Sequence, residues 1–254
     1  MLLSCDDPPA AEFWASTTRP EVLIVCDHAG MAIPKMLGRL SLPENLILAD
    51  QHIAVDIGAK QLSLKVAQNL GATFIWQNYS RLVIDCNRPL RSSQSISPES
   101  DGITIPGNLG LSADQIHARI HEIFLPYDQL CFQAVSKDDL RLIISIHSFT
   151  PTLQGFERPW NISFLFNKGE VYARKMASFI SASESELNIG FNEPYQVDEL
   201  SDWFVIKYAE PKKIPQVLIE IRNDQLRDLS NIDEWAQRIS KASIKMLEVK
   251  NWEY

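Results

Sequence analysis

Cysteine is scarce in this chain. Its 254 residues hold four, Cys5, Cys26, Cys86 and Cys131, and none forms a Cys-x-x-Cys pair. That spacing excludes a disulfide framework. Cys26, Cys86 and Cys131 sit in apolar or amphipathic stretches and read as reduced, packed side chains. Long apolar runs are missing too: nothing approaches the roughly 20 residues that a membrane span needs. The N-terminal MLLSCDDPPAAEF has no basic segment followed by an apolar one, so no secretion signal is read there. Basic surplus is also absent. Twenty-four Lys and Arg face 32 Asp and Glu, for a net charge of −8 and a pI near 5.2. That balance argues against nucleic acid or an anionic membrane as the main partner. It leaves a small anionic substrate open, because a few local arginines can override the overall sign. Neither an internal repeat nor a linker is visible. The expectation is a cytoplasmic protein of one domain, residues 1–254, with residues 1–20 as a Pro-rich N-terminal arm.

What the chain does have is three apolar runs that end in chemistry. EVLIVCDHAG delivers Asp27 and His28, LRLIISIHSF delivers His147, and PQVLIEIRND delivers Glu220 and Arg222. Continuous β-branched runs read as strands buried on both faces, the signature of a parallel sheet. In open α/β sheets ligands bind beyond the carboxyl ends of the strands. Two histidines and a glutamate brought there suggest metal-assisted hydrolysis, since neutral imidazoles bind zinc and a carboxylate can activate water.

Between these runs, strands alternate with helices, which predicts an α/β fold with a mixed, mainly parallel sheet. Strands are expected at 21–27, 72–76, 82–84, 142–146, 162–166 and 217–221. Helices are expected at 50–69, ending at Gly71, at 171–182, at 204–209 and at 232–249. Another opens at Ser112, where Gln115 supplies a capping box, and Pro126 should kink it. Residues 89–111, rich in Ser, Pro, Gly and Asn, read as a long loop of the kind that is often functional.

Each candidate has a structural alternative. His28 precedes Ala29-Gly30, where the chain can turn tightly beside a ligand; it could equally be a polar loop residue. His147, at the mouth of a buried strand, needs a partner for each ring nitrogen, and a metal is the preferred one. Glu220 is costly inside VLIEIR unless paired or functional. An ion pair with Arg222 is the structural alternative, and the preferred reading is a general base in a desolvated site. Arg81, Asn87 and Arg88 cluster around one expected strand and suggest an anion clamp, because guanidinium grips a carboxylate with two bonds. In DQHIAVDIGA, His52 and Asp56 would share a helix face, and Asp50 stands nearby; a solvated helix N-terminus is the alternative. His117 and His121 are also four apart, but without the acid of an HExxH motif they read as surface residues. The tryptophans, with no basic residues interleaved, read as packing.

In order, VCDHAGMAIP, HIAVDIGA, YSRLVIDCNRP, SDGITIPGN, SIHSFTP, NEPY and EIRND resemble the N-formylglutamate amidohydrolase family, from about residue 20 to 245. The resemblance implies a phosphorylase/hydrolase-like fold, as in zinc carboxypeptidases. It implies hydrolysis of a C–N bond other than a peptide bond, with formate released from N-formyl-L-glutamate late in histidine breakdown. It implies Zn2+, or another divalent metal, on His28, Asp56 and His147, with Glu220 as general base. Arg81, Asn87 and Arg88 would hold the substrate carboxylate. Two positions depart from the related pattern. Met31 stands where carboxypeptidase-like enzymes place a glutamate ligand, leaving Asp56 or His52 to supply the third ligand. Tyr208 stands where relatives often carry a histidine.

The leading expectation is therefore a metal-dependent amidohydrolase acting on a small anionic N-acyl amino acid. The alternatives are an inactive member that binds an amino-acid-like ligand and a zinc amidase with a different N-acyl or peptide substrate.

Overall fold

The strands of the central sheet are the apolar segments of the sequence, and their alternation decides which side chain faces which layer. In the computed structural model, which describes every residue but 47, 49, 50, 183–185, 251, 253 and 254, eleven strands are present: β1 (Ala11–Trp14), β2 (Arg19–Cys26), β3 (Ala72–Gln77), β4 (Glu99–Ser100), β5 (Ile103–Thr104), β6 (Leu142–Phe149), β7 (Thr152–Leu153), β8 (Phe156–Glu157), β9 (Ile162–Leu165), β10 (Ile189–Phe191) and β11 (Gln216–Arg222). Seven of them form one sheet in the order β1-β3-β2-β6-β11-β9-β10. The central four, β3, β2, β6 and β11, run parallel. Strand β9 joins antiparallel to β11, and β1 antiparallel to β3. The mixed, mainly parallel sheet expected from the sequence is present.

Helices cover both faces. Helices α1 (Ala59–Leu70), α4 (Glu170–Ser181) and α6 (Leu229–Glu248) contribute to one apolar layer. Val22, Ile24, Ile144, Ile146, Ile219 and Ile221 face it. The other layer holds Leu23, Val25, Ile143 and Leu218, with Tyr127 and Cys131 of α3 (Leu125–Val135). Period-two alternation then puts Asp27, Ser145, His147 and Glu220 on this second side. Helix α2 (Ala113–Arg119) opens on the expected box of Ser112 and Gln115. A π-helical turn, Ile120–Phe124, separates it from α3, whose first turn holds Pro126. A second π-turn, Val205–Ala209, leads into the short α5 (Glu210–Lys212). Among the described residues no helix is long and apolar enough to cross a membrane.

The structure corrects several boundaries. Helix α1 begins at Ala59 rather than near residue 50, because Gly58 stands in the left-handed region (φ 79°) immediately before it. Asp50 lies outside the described residues. Asp56 and His52 therefore sit in a loop, not on a shared helix face. Leu82–Ile84 is no strand; its side chains are buried, but the backbone forms turns. Residues 11–14 of the expected arm are a sheet edge, paired with β3. The long 89–111 loop contains the β4–β5 hairpin and a 3-10 turn at Pro106–Asn108.

The loop after β2 is zipped against residues 78–80. Ala32 donates to the Asn78 carbonyl at 3.1 Å, and Ser80 donates to the Ala32 carbonyl at 2.8 Å. At Gly30 an added Cβ would lie 2.0 Å from the Asn78 carbonyl carbon and oxygen. Gly30→Ala must force those backbones apart, at a cost of about 1–3 kcal/mol. A lower urea midpoint for the variant is the expected result.

Candidate active site

Parallel pairing in register brings the three strand ends together. His147 stands opposite Glu220 across β6 and β11. Val25 stands opposite Ser145 across β2 and β6, so two residues further on Asp27 reaches His147. The loop carrying Asp56 is tied to both histidine segments. Its amide donates to the His28 carbonyl at 3.0 Å, and the Ser148 amide donates to Asp56 Oδ2 at 3.3 Å.

One carboxylate oxygen then gathers the imidazoles. Asp56 Oδ2 lies 2.9 Å from His147 Nδ1 and 3.4 Å from His28 Nδ1. The ligand atoms of His28, Asp56 and His147 lie within 4.8 Å of one another, and all three residues are buried. His28 Nδ1 has no hydrogen-bond partner, and neither does Glu220 Oε2. Orphaned buried polar atoms of this kind call for a ligand. Two nitrogens and a carboxylate are a donor set that zinc accepts. His28 Nε2 donates to Asp85 Oδ1 at 2.8 Å, which leaves Nδ1 to face the cluster, as a carboxylate behind a metal-binding histidine does. The cluster opens into a cleft of about 550 Å³ lined also by Arg81, Arg88 and Glu220. That size suits a small molecule.

Comparison with known proteins supplies the family. The family model of N-formylglutamate amidohydrolase matches residues 20–227. The chain belongs to the N-formylglutamate amidohydrolase family. Membership makes it a hydrolase of C–N bonds other than peptide bonds. Gene product Atu2144 from Agrobacterium tumefaciens shares 27% identity, with a TM-score of 0.90 over 98% of each chain. The N-formylglutamate amidohydrolase from Ralstonia eutropha JMP134 shares the fold at 14% identity, with a TM-score of 0.69 over 95% of this chain and 98% of that one. No curated protein matches the sequence.

In this amidohydrolase the expected residues divide by what they touch. Arg81 Nη2 lies 3.1 Å from Asp85 Oδ2, and Arg81 Nη1 lies 3.4 Å from Asp56 Oδ1. Arg88 is freer, with its Nε 3.8 Å from Asp85 Oδ2. Asn87 is buried and committed: Nδ2 donates to Asp202 Oδ1 at 3.1 Å, and Oδ1 accepts from the Phe204 amide at 3.3 Å. His52 lines the cleft but pairs with Asp101 at 3.3 Å, outside the three-residue cluster. Met31 is 52% exposed and lines an adjacent depression rather than the cleft. Tyr208 is buried, donates to Asp128 Oδ1 at 2.7 Å and does not line the cleft. His117 and His121 lie against each other with centroids 3.9 Å apart and rings tilted by 42°, also away from the cleft. Arg222 pairs with Asp224, leaving Glu220 to the site.

Sequence reasoning missed Asp85 and Asp202 and left Asp27 without a role. Asp85 lies inside the YSRLVIDCNRP motif; its burial among arginines in a polar-flanked segment was the available signal. Nothing local marks Asp202, which reaches the cleft from a loop more than a hundred residues away with φ at 45°.

The electrostatics follow from burial opposed by counter-charges. Burial works against charge on His147, yet the neighbouring carboxylates of Asp27, Asp56 and Glu220 raise its pKa well above the ordinary value. His28 is raised as well, with Asp85 and Asp56 outweighing burial and Arg81. Burial likewise opposes charge on Asp56, but the two histidines hold it far below the usual carboxylate range. Glu220 goes the other way: burial pushes its carboxyl up to about 8. A carboxyl raised on folding contributes stability that is full below its unfolded pKa and is lost as pH rises through the folded value. In metal-free protein, Glu220→Gln should therefore raise the thermal midpoint more at pH 9 than at pH 5, as scanning calorimetry would register.

Proposed function

We propose that the protein is a zinc-dependent amidohydrolase of small N-acyl acidic amino acids, with N-formyl-L-glutamate as the leading substrate and formate and L-glutamate as products. One observation carries this reading: two buried imidazole nitrogens converge on one carboxylate oxygen, beside the buried Glu220, whose Oε2 meets no hydrogen-bond partner. His28 Nδ1, His147 Nδ1 and Asp56 would hold the ion. When bound, zinc supplies Lewis acidity toward the acyl oxygen and the attacking water.

The chain's own groups do the rest. Glu220 Oε2, free of any donor, takes a proton from the attacking water and passes it to the leaving nitrogen as the C–N bond breaks. Water thus adds across the amide, the hydroxyl to the acyl carbon and the hydrogen to the amine. Arg88 leads the grip on substrate carboxylate, because Arg81 already shares its guanidinium with Asp85 and Asp56. Asn87 supports the grip indirectly, by fixing the segment 202–204 that forms the facing wall.

Zinc-loaded protein should release formate from N-formyl-L-glutamate. Glu220→Gln should lower kcat roughly 10²–10⁴-fold while retaining metal, and His147→Ala should lose stoichiometric zinc. Steady-state kinetics and elemental analysis measure both. Turnover of another N-acyl compound with no formate release would change the substrate. Full activity in rigorously metal-free protein would sink the zinc reading.

A further inference from the structure

Asp27 is a buried carboxylate, 2% exposed, that neither the zinc cluster nor the substrate grip uses. Its Oδ1 accepts from the hydroxyl of Tyr127 at 2.6 Å. Its Oδ2 has no hydrogen-bond donor and lies 3.5 Å from His147 Nε2. Tyr127 is itself buried and comes from α3, in the apolar layer behind the sheet. A buried carboxylate oxygen left without a donor is costly, even where the other oxygen is satisfied. His147 is the group placed to meet that need, and parallel register puts it there.

We propose that Tyr127 and Asp27 are positioning residues for His147. The Tyr127 hydroxyl fixes the Asp27 carboxylate. That carboxylate takes the Nε2–H of His147, which keeps Nδ1 as the lone-pair nitrogen turned toward Asp56. The arrangement mirrors Asp85 behind His28, so each metal-facing imidazole is backed by its own carboxylate. The competing partner is Ser145, whose Oγ lies 3.1 Å from the same Nε2. A hydroxyl can accept there, but it carries no charge to raise the basicity of the opposite nitrogen. The inference rests on the zinc reading and extends it to a helix that does not line the cleft.

The test is zinc affinity of the full-length protein by chelator competition, together with the absorption spectrum of the cobalt(II) form. The proteins are wild type, Asp27→Asn, Tyr127→Phe, the double variant and Ser145→Ala. Asp27→Asn is expected to bind zinc roughly 10–100-fold more weakly. Tyr127→Phe, which keeps the ring and its packing, is expected to weaken binding several-fold and to alter the cobalt spectrum. The double variant should bind no more weakly than Asp27→Asn, because Tyr127 acts only through Asp27; a tyrosine with a merely structural role would add its own loss. Wild-type affinity and spectrum in Tyr127→Phe, or additive losses, would overturn the relay and leave the zinc site standing. A larger loss in Ser145→Ala than in Asp27→Asn would overturn it in favour of the hydroxyl. A wild type that takes up no zinc or cobalt would overturn both readings.

Discussion

The site depends on one oxygen atom. Asp56 Oδ2 receives His147 Nδ1 at 2.9 Å and stands 3.4 Å from His28 Nδ1. Two imidazoles and a carboxylate cannot be held this close in a dry site without compensation, because each charge loses its hydration. The surrounding structure supplies that compensation. Backbone amides tie the Asp56 loop to both histidine segments. Asp85 and Asp27 stand behind the two rings, and Arg81 offsets the carboxylates. The arrangement also explains why Glu220 is pushed toward its neutral form: it is buried in the same site, with the carboxylates of Asp56 and Asp202 nearby.

The rigid and adaptable parts of the site have different origins. The floor is made of residues on or just beyond β2, β6 and β11, which are held by the sheet and packed on both faces. The walls are loops: 80–88, the β4–β5 hairpin and the segment around Asp202. Even these are fixed at chosen points. The buried guanidinium of Arg119 holds the carbonyl of Val83 at 2.9 Å and Asn108 Oδ1 at 2.7 Å. It thereby anchors the segment bearing Arg81, Asp85 and Arg88 to the 106–108 turn. The sheet thus carries His147 and Glu220, while Asp56 and the arginines come from loops, the parts that can differ between relatives.

Much of this was legible in the chain. Continuous apolar runs in EVLIV, LIISI and VLIEI marked buried parallel strands, and the polar residues closing each run marked the site. Ser112 with Gln115, and Gly71 after the first long helix, fixed element ends through local chemistry. The errors share a cause. Leu82–Ile84 looks like a strand because its side chains are buried, yet its backbone bonds are spent in turns. The start of α1 was placed too early because Asp56 and His52 fit a helical spacing that Gly58 interrupts. Burial leaves a pattern in sequence; backbone conformation in loops leaves little.

Sequence alone determined the buried strands and placed His28, His147 and Glu220 at or near their ends, because continuous apolar runs and the cost of polar groups in them are local properties. The choice of Asp56 over His52 as the third member of the cluster was not local. Neither was the pairing of each histidine with its own rear carboxylate, nor the diversion of Asn87 to Asp202. Those were decided by strand register and by which loops meet above it, contacts between residues 57 to 115 positions apart that no window of sequence contains.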